Sequence, residues 1–488
     1  MMESELLRER EEKEHYKRTL VKSVRWYDGV ILIGFGVPGL LYPSVGSSVV
    51  ALGALGAAVV WALSAIIGKF QANMVSEVAA MFPEKSGGIG ILASEGISRY
   101  GKPFGALAAF AYWFGWTIVM AINGVLVGDY IKATIWPSAS PELLGTVMLV
   151  LLYLFNVYGL KPGVWAGYAL GVATVVPMGL MIVGAFFGGS FHWGHLAQVA
   201  LPNHIGWTSM KGLGVVLTWM FIVGWSAYGT EAAATLAPEY HDTVRDTPKA
   251  LRGSATISMA FYVLMPLAAV GVLGISQIQK SPYTAFAPML DKILGPAAGG
   301  VVIITVLASL VLSANLATIG GSRTLYQAAR DRHILTIFGY VNKRGIPAAG
   351  MTLDLIVNVA FIWALKNPIA ILVASNVGYF VAWILMLVSF VLLRRDRKDV
   401  ARPIKLKPAW VGGGVLLIAL NTVFLIVGAP SYGAGPLLLG VGVLALSIVM
   451  WAVRNYFEEP RRMKRATRVQ WDTPDSEINI EDAGAEAS

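Results

Sequence analysis

Apolar residues fill long uninterrupted runs along this chain, and polar residues collect between the runs instead of alternating within them. A helix that crosses the hydrocarbon of a bilayer takes about 20 apolar residues, and the runs predict about a dozen such spans. They lie near 26–43, 47–81, 104–135, 142–159, 164–188, 211–237, 254–275, 297–322, 348–365, 369–393, 409–428 and 435–456. The second, third and sixth exceed a minimal span, which predicts tilt or helical extension beyond the lipid. Two spans carry interruptions about 190 residues apart: Ile33-Gly34-Phe35-Gly36-Val37-Pro38-Gly39, and Gly224-Trp225-Ser226-Ala227-Tyr228-Gly229-Thr230-Glu231. Every backbone N–H and C=O at membrane depth needs an internal partner. Paired interruptions at matching places in two halves therefore point to a solute site near the midplane, and so to a carrier.

The spans divide as five, five and two. Because five is odd, the second half enters the membrane from the opposite side, which makes the repeat inverted with a broken helix leading each half. The expected organisation is an N-terminal segment (1–25), a first five-helix repeat (26–190), a second inverted repeat (211–395), two additional helices (409–456) and a tail (457–488). The fold class is an all-α integral membrane protein of twelve transmembrane helices.

Composition agrees: of 488 residues 56% are hydrophobic and 14% charged, with a mean hydropathy of +0.63, leaving no room for a globular domain outside the membrane. With both termini placed in the cytoplasm, 32 of the 38 Lys and Arg fall on that side, which fixes the orientation by the positive-inside rule. The net charge of +9 thus speaks of topology and anionic headgroups, not of nucleic acid. No cysteine is present, which excludes disulfides and thiolate metal sites. The charged start runs into the first span with no small-residue cleavage site, so no signal peptide is expected. The acidic stretch Asp472 to Ser488 is expected to be disordered. His192 and His195 have metal-like spacing but no third ligand nearby, so neither a metal nor a cofactor is expected.

Several segments carry a resemblance. They are Glu77-Val78-Ala79-Ala80-Met81-Phe82-Pro83-Glu84-Lys85-Ser86-Gly87-Gly88, Glu231-Ala232-Ala233-Ala234 with Pro238-Glu239 and Arg245-Asp246-Thr247-Pro248-Lys249-Ala250-Leu251, Ser322-Arg323 with Ala329-Arg330-Asp331, and Val341-Asn342-Lys343-Arg344-Gly345-Ile346-Pro347. In that order and spacing the chain resembles the amino acid–polyamine–organocation permeases. The resemblance implies a LeuT-like fold of twelve helices with a 5+5 inverted repeat, in agreement with the span count.

The half-helix that restarts after a break presents N–H groups that suit a carboxylate, and the half that ends presents carbonyls that suit a cation. Gly34, Phe35, Gly36 and Val37 at the first break, and Trp225, Ser226, Ala227, Tyr228 and Gly229 at the second, are the expected solute contacts. Relatives usually read Gly-Ser-Gly or Gly-Ala-Gly at the first break. Here Phe35 replaces the hydroxyl and Pro38 removes an N–H, which puts ordinary carboxylate recognition in doubt. The second segment is similar to the sixth helix of arginine–agmatine exchangers of that family, which implies that Trp225 and Glu231 line the pathway. Trp225 can cover an ammonium by cation–π attraction worth about 0.5–2 kcal/mol. Glu231 at membrane depth costs about 2.5 kcal/mol or more without a partner, which marks it as functional. The same comparison matches Tyr112-Trp113 to an aromatic pair, and places Ala317 where those exchangers have a gating tryptophan, implying a roomier site.

Glu77 is expected near the inner interface, in a gate. Lys69, Asn73 and Glu77 share one helix face, with Asp354 as a candidate partner for Lys69 against simple snorkelling. Asn123 is expected to glue helices together. Many relatives carry a coupling lysine where this chain has Thr174, so Thr174 with Ser313 or Thr318 is a candidate sodium site, while Glu231 is a candidate proton carrier. Proton-linked transport or exchange is favoured, because no other carboxylate lies near the breaks. The expected function is secondary active transport of an amino acid or related small amine; the alternatives are a polyamine or organic-amine carrier, or a sodium-coupled member of the same fold. A 6+6 carrier needs a longer loop than 238–253, an enzyme needs clustered acid–base or metal ligands within the spans, and a channel needs a filter or ring of like charges.

Overall fold

The computed structural model describes residues 20–460 apart from 43, 159, 198–200, 202–204, 281, 283–284, 296–298 and 366–367. Most of the N-terminal segment and nearly all of the tail lie outside the described residues. Among those described, regular structure is helical, with one isolated bridge between Val24 and Tyr240. Ten helices are long and apolar enough to cross a membrane, and three shorter apolar helices accompany them, Trp26–Leu41, Gly88–Ile97 and Pro141–Val157.

The chain begins with α1 (Trp26–Gly36), which tightens into a 3-10 segment at Val37–Leu41. The run Val45–Met81, expected as one span from 47, is two helices meeting at Gly53, whose φ of 73° and ψ of 179° are non-helical. The Trp61 Nε1 donates to Ser48 Oγ at 3.0 Å although 13 residues separate them. One continuous helix would hold these residues about 20 Å apart along its axis. The chain therefore folds back at Gly53, which separates α2 (45–52) from α3 (54–81). That glycine was hidden because it sits in an apolar run with no proline or polar flank, and only its backbone freedom marks it.

After α3, the stretch expected as a loop contains α4 (Gly88–Ile97), buried although too short to span. Then come α5 (Lys102–Thr117) with α6 (Val119–Thr134), α7 (Pro141–Val157) and α8 (Leu160–Phe187). The second half holds α9 (Met210–Ala227) with a 3-10 segment Gly229–Glu239, α10 (Thr243–Leu273), short α11 (Ile275–Lys280) and α12 (Phe286–Leu294), α13 (Gly299–Arg330), α14 (Ala348–Leu365) and α15 (Pro368–Asp396). Helices α16 (Ala409–Gly428) and α17 (Ala434–Ala452) close the order. Helix α10 starts before its apolar stretch because Asp242 caps it, accepting from the Arg245 N–H at 3.2 Å. Likewise α13 runs on through charged Arg330. Hydropathy alone does not see such polar extensions.

Burial orders the bundle. The apolar window of the α5–α6 span is 94% buried, against 17% for the last span. Helices α5, α9, α13 and α15 thus form the centre, and α16 and α17 the periphery.

Gly53→Ala forces a side chain into a region costing about 1–3 kcal/mol and is expected to lower the melting temperature in detergent. Gly179→Ala, on α8 with no atom near the added methyl, is expected to leave it unchanged or raise it, since alanine is the better helix former. Equal behaviour of the two variants would contradict the fold-back at Gly53.

Candidate functional site

At the first break α1 leaves α geometry after Gly36, and Pro38 contributes no N–H. At the second, α9 ends at Ala227 and the chain continues as a 3-10 segment from Gly229. The freed carbonyls are taken by hydroxyls of neighbouring helices. Ser313 of α13 donates to the Gly36 carbonyl at 2.7 Å, and Ser226 of α9 donates to Leu40 at 3.0 Å. The Tyr262 hydroxyl of α10 lies 2.7 Å from the Val37 carbonyl and 2.8 Å from that of Ser226, so one O–H joins both breaks. The breaks also touch directly: a methyl on Gly229 would sit 3.3 Å from Val37 Cγ1 and 3.4 Å from the Trp116 ring. Gly34 and Gly36 pack closely on α10 and α13 respectively.

Glu231 follows two residues after Gly229 and is fully buried. Its Oε1 accepts from Trp116 Nε1 of α5 at 2.7 Å, while Oε2 has no partner. The hydroxyls of Tyr112 and Tyr379 face the same carboxylate. Tyr379 meets Trp116 edge-on at 6.4 Å between ring centres, stacks with Tyr112 at 6.5 Å and meets Trp383 at 6.4 Å, which in turn meets Tyr228 at 6.0 Å. The hydroxyls of Tyr228 and Thr230 and the Trp383 N–H are also buried without partners. Buried polar groups are nearly always paired, so a cluster left open marks a place for water or a polar ligand. A carboxylate among aromatic faces suits an ammonium.

Trp225 is buried with its N–H 3.3 Å from the Gly115 carbonyl, which pins its ring between α9 and α5. Phe35 is half-buried with its ring over Gly171 of α8. Thr174 and Thr318 donate to carbonyls of their own helices, Leu170 at 2.8 Å and Ala314 at 2.9 Å. Ser313 instead belongs to the first break. Lys69 is half-buried, and Asp354 is not its partner: that carboxylate accepts from Trp113 and Thr117. Asn123 is buried with both amide atoms unpaired, and Ala317 is buried. The His195 Nδ1 is 2.8 Å from the Gly271 carbonyl, and no cluster of three metal-ligating residues occurs among the described residues. Nothing in the sequence singles out Trp116, Tyr262, Tyr379 or Trp383, because an aromatic residue inside an apolar run gives no contrast.

Charged residues close one end of the bundle. Glu77 accepts from Nε and Nη2 of Arg394 at 2.9 and 2.5 Å and from the Leu406 N–H at 2.8 Å. Buried Arg323 of α13 pairs with Glu239 beyond the second break. Lys85 bridges Asp331 at 2.6 Å and Glu95 at 3.0 Å. Burial alone would lower its pKa, but those two carboxylates outweigh burial and hold the ammonium above its ordinary value. Beside this closure a cavity of about 400 Å³ opens, lined by Lys22, Glu84, Thr243, Gln327 and Arg330 among others.

Residues 29–453 match the family described as amino acid permease. The chain belongs to the amino acid permease family. Its relatives include a lysine-specific permease of Lactococcus lactis, 24% identical over 457 residues that cover 88% of this chain and 86% of that protein. A gamma-aminobutyric acid permease of Bacillus subtilis is 28% identical over 60% of this chain and 61% of its own length. A D-serine/D-alanine/glycine transporter of Escherichia coli is 26% identical over 60% and 64%. The family and these relatives are transporters, so the chain is a multi-pass membrane permease and not an enzyme.

Removing the hydroxyl that joins the breaks, in Tyr262→Phe, strips the shared donor from two buried carbonyls. An unpaired buried acceptor costs about 1–3 kcal/mol, so this permease variant is expected to unfold at lower temperature and to lose transport. Unchanged melting would show that other donors hold those carbonyls.

Proposed function

We propose that this permease carries an amino acid or a related small amine by alternating access, and that the solute's ammonium rests between Glu231 and the rings of Tyr112, Trp116 and Tyr379. The observation that carries the reading is the buried Glu231 carboxylate, one oxygen unpaired, directly after the second break and among hydroxyls that also lack partners. The named solutes of the three relatives share an amino group, which supports the same solute class here.

In this reading ten crossings form a 5+5 inverted repeat, residues 26–190 and 211–395, and two further helices bring the count to twelve. The short helices Trp26–Leu41 and Pro141–Val157 supply the crossings beyond the ten long ones. Both termini face the cytoplasm, so the ion-paired end around Glu77, Lys85 and Arg323 is the inner closure. Gly34, Gly36, Val37, Ser226, Ala227, Tyr228 and Gly229 wall the site, Trp225 fixes α9 against α5, and Phe35 sets the spacing to α8. Glu231 links transport to a proton or to exchange. Thr174 and Lys69 have a smaller part, since the Thr174 hydroxyl already serves Leu170.

The test is counterflow in proteoliposomes with a panel of amino acids, amines and polyamines. Saturable exchange of at least one ammonium-bearing solute is expected; transport of neutral or anionic solutes only would overturn the reading. Trp225→Ala and Glu231→Gln are expected to cut flux at least tenfold at normal expression, and Glu231→Gln to flatten the pH dependence. Wild-type flux in both variants would make the two residues structural.

A further inference from the structure

A second carboxylate lies fully buried within the apolar bundle, away from the breaks. Asp354 sits on α14, which packs on α13, α7 and α6, and its carboxylate reaches α5. Its Oδ1 accepts from Trp113 Nε1 at 2.7 Å and from Thr117 Oγ1 at 2.8 Å, both on α5. Asn358, one turn along α14, donates to Thr117 Oγ1 at 2.9 Å and accepts from the Ala121 N–H at 2.9 Å. Oδ2 has no partner, and it points at Gly321 of α13, where an added methyl would lie 3.1 Å away. Among the described residues no cation is paired with Asp354. Arg323 of α13 is committed to Glu239, Tyr153 of α7 to Thr352, and Lys69 is not among the partners of Asp354. Tyr379 of α15 and Tyr112 of α5 lie in the field of Glu231 instead.

We propose that Asp354 is a second proton-binding site of the permease, coupled to Glu231 through α5. The chemistry chooses the proton. A metal ion needs several oxygens with free lone pairs, whereas the Trp113 and Thr117 groups that face Asp354 turn their hydrogens towards it. Oδ2 is the one open acceptor of this cluster. A proton taken from water on Oδ2 removes an uncompensated charge from the bilayer interior, and its return to water restores the anion that Oδ1's two donors favour. The coupling path is one helical turn. Trp113 and Trp116 lie three residues apart on α5, and their indole N–H groups hold Asp354 and Glu231 respectively. Neutralising Asp354 weakens its grip on Trp113 and Thr117 and so loosens the helix that orients Trp116.

The test is infrared titration of the purified permease in liposomes, following the carbonyl stretch of protonated carboxyl groups. It does not depend on solute identity, so failure of the transport reading and failure of this one are separable. Glu231→Gln is expected to retain a titrating buried carboxyl band, and Glu231→Gln with Asp354→Asn to lose it. Thr117→Val keeps the side chain's shape and removes one donor to the anion, so the band should titrate higher by about one pH unit. This second variant covers the case in which Asp354→Asn does not fold. In flux assays Asp354→Asn should shift the pH profile while solute binding persists. A band unmoved by both variants would overturn the proposal, and so would a titration that moves when sodium replaces choline.

Discussion

A backbone carbonyl released inside a bilayer has no water to turn to, and this constraint governs the centre of the permease. Two helices leave α geometry at mid-run, at Gly36 and at Ala227, and each releases carbonyl groups. The Tyr262 hydroxyl reaches Val37 and Ser226 together, while Ser313 and Ser226 serve Gly36 and Leu40. These four contacts tie α1, α9, α10 and α13 into one unit. They also leave an asymmetry. With the carbonyls taken by protein hydroxyls, the strongest buried acceptor still open beside the breaks is the free oxygen of Glu231.

From that asymmetry the chemistry of the site follows. A site built from backbone carbonyls alone would treat a cation as a chain terminus treats any ion. In the proposed site a fixed carboxylate takes that part, in a setting whose walls are the faces and edges of Tyr112, Trp116, Tyr379 and Trp383. Low polarity strengthens the attraction between Glu231 and an ammonium. Helix α5 matters more than its hydropathy suggests, because its indoles reach two buried carboxylates on different neighbours.

Both interruptions were legible in the sequence because glycine and proline stand out against apolar runs, and Glu231 because a charge does. The Lys and Arg bias was equally plain. Gly53 is not legible: one glycine among many in an apolar run gives no contrast, and its backbone angles and the Trp61–Ser48 hydrogen bond expose the reversal. Helix α4 looks like loop in the sequence because ten residues are too few to span, although most of them are buried. The ring of Phe35 lies over Gly171 of α8, a neighbour 136 residues on in the chain that no local pattern announces. From the sequence Asp354 is a candidate partner for Lys69. Its real partners, Trp113 and Thr117, lie on a helix more than 200 residues away in sequence, a pairing no local pattern encodes.

The central claim is that the site holds its solute chiefly by the ammonium. It is tested most directly by equilibrium binding of one transported amino acid and two analogues, one with the amino group acetylated and one with the carboxylate removed. The account predicts that acetylation raises the dissociation constant at least tenfold more than decarboxylation does, because only the ammonium loses the Glu231 carboxylate and the aromatic faces. The reverse order, with the acetylated compound binding nearly as well as the parent, would contradict it.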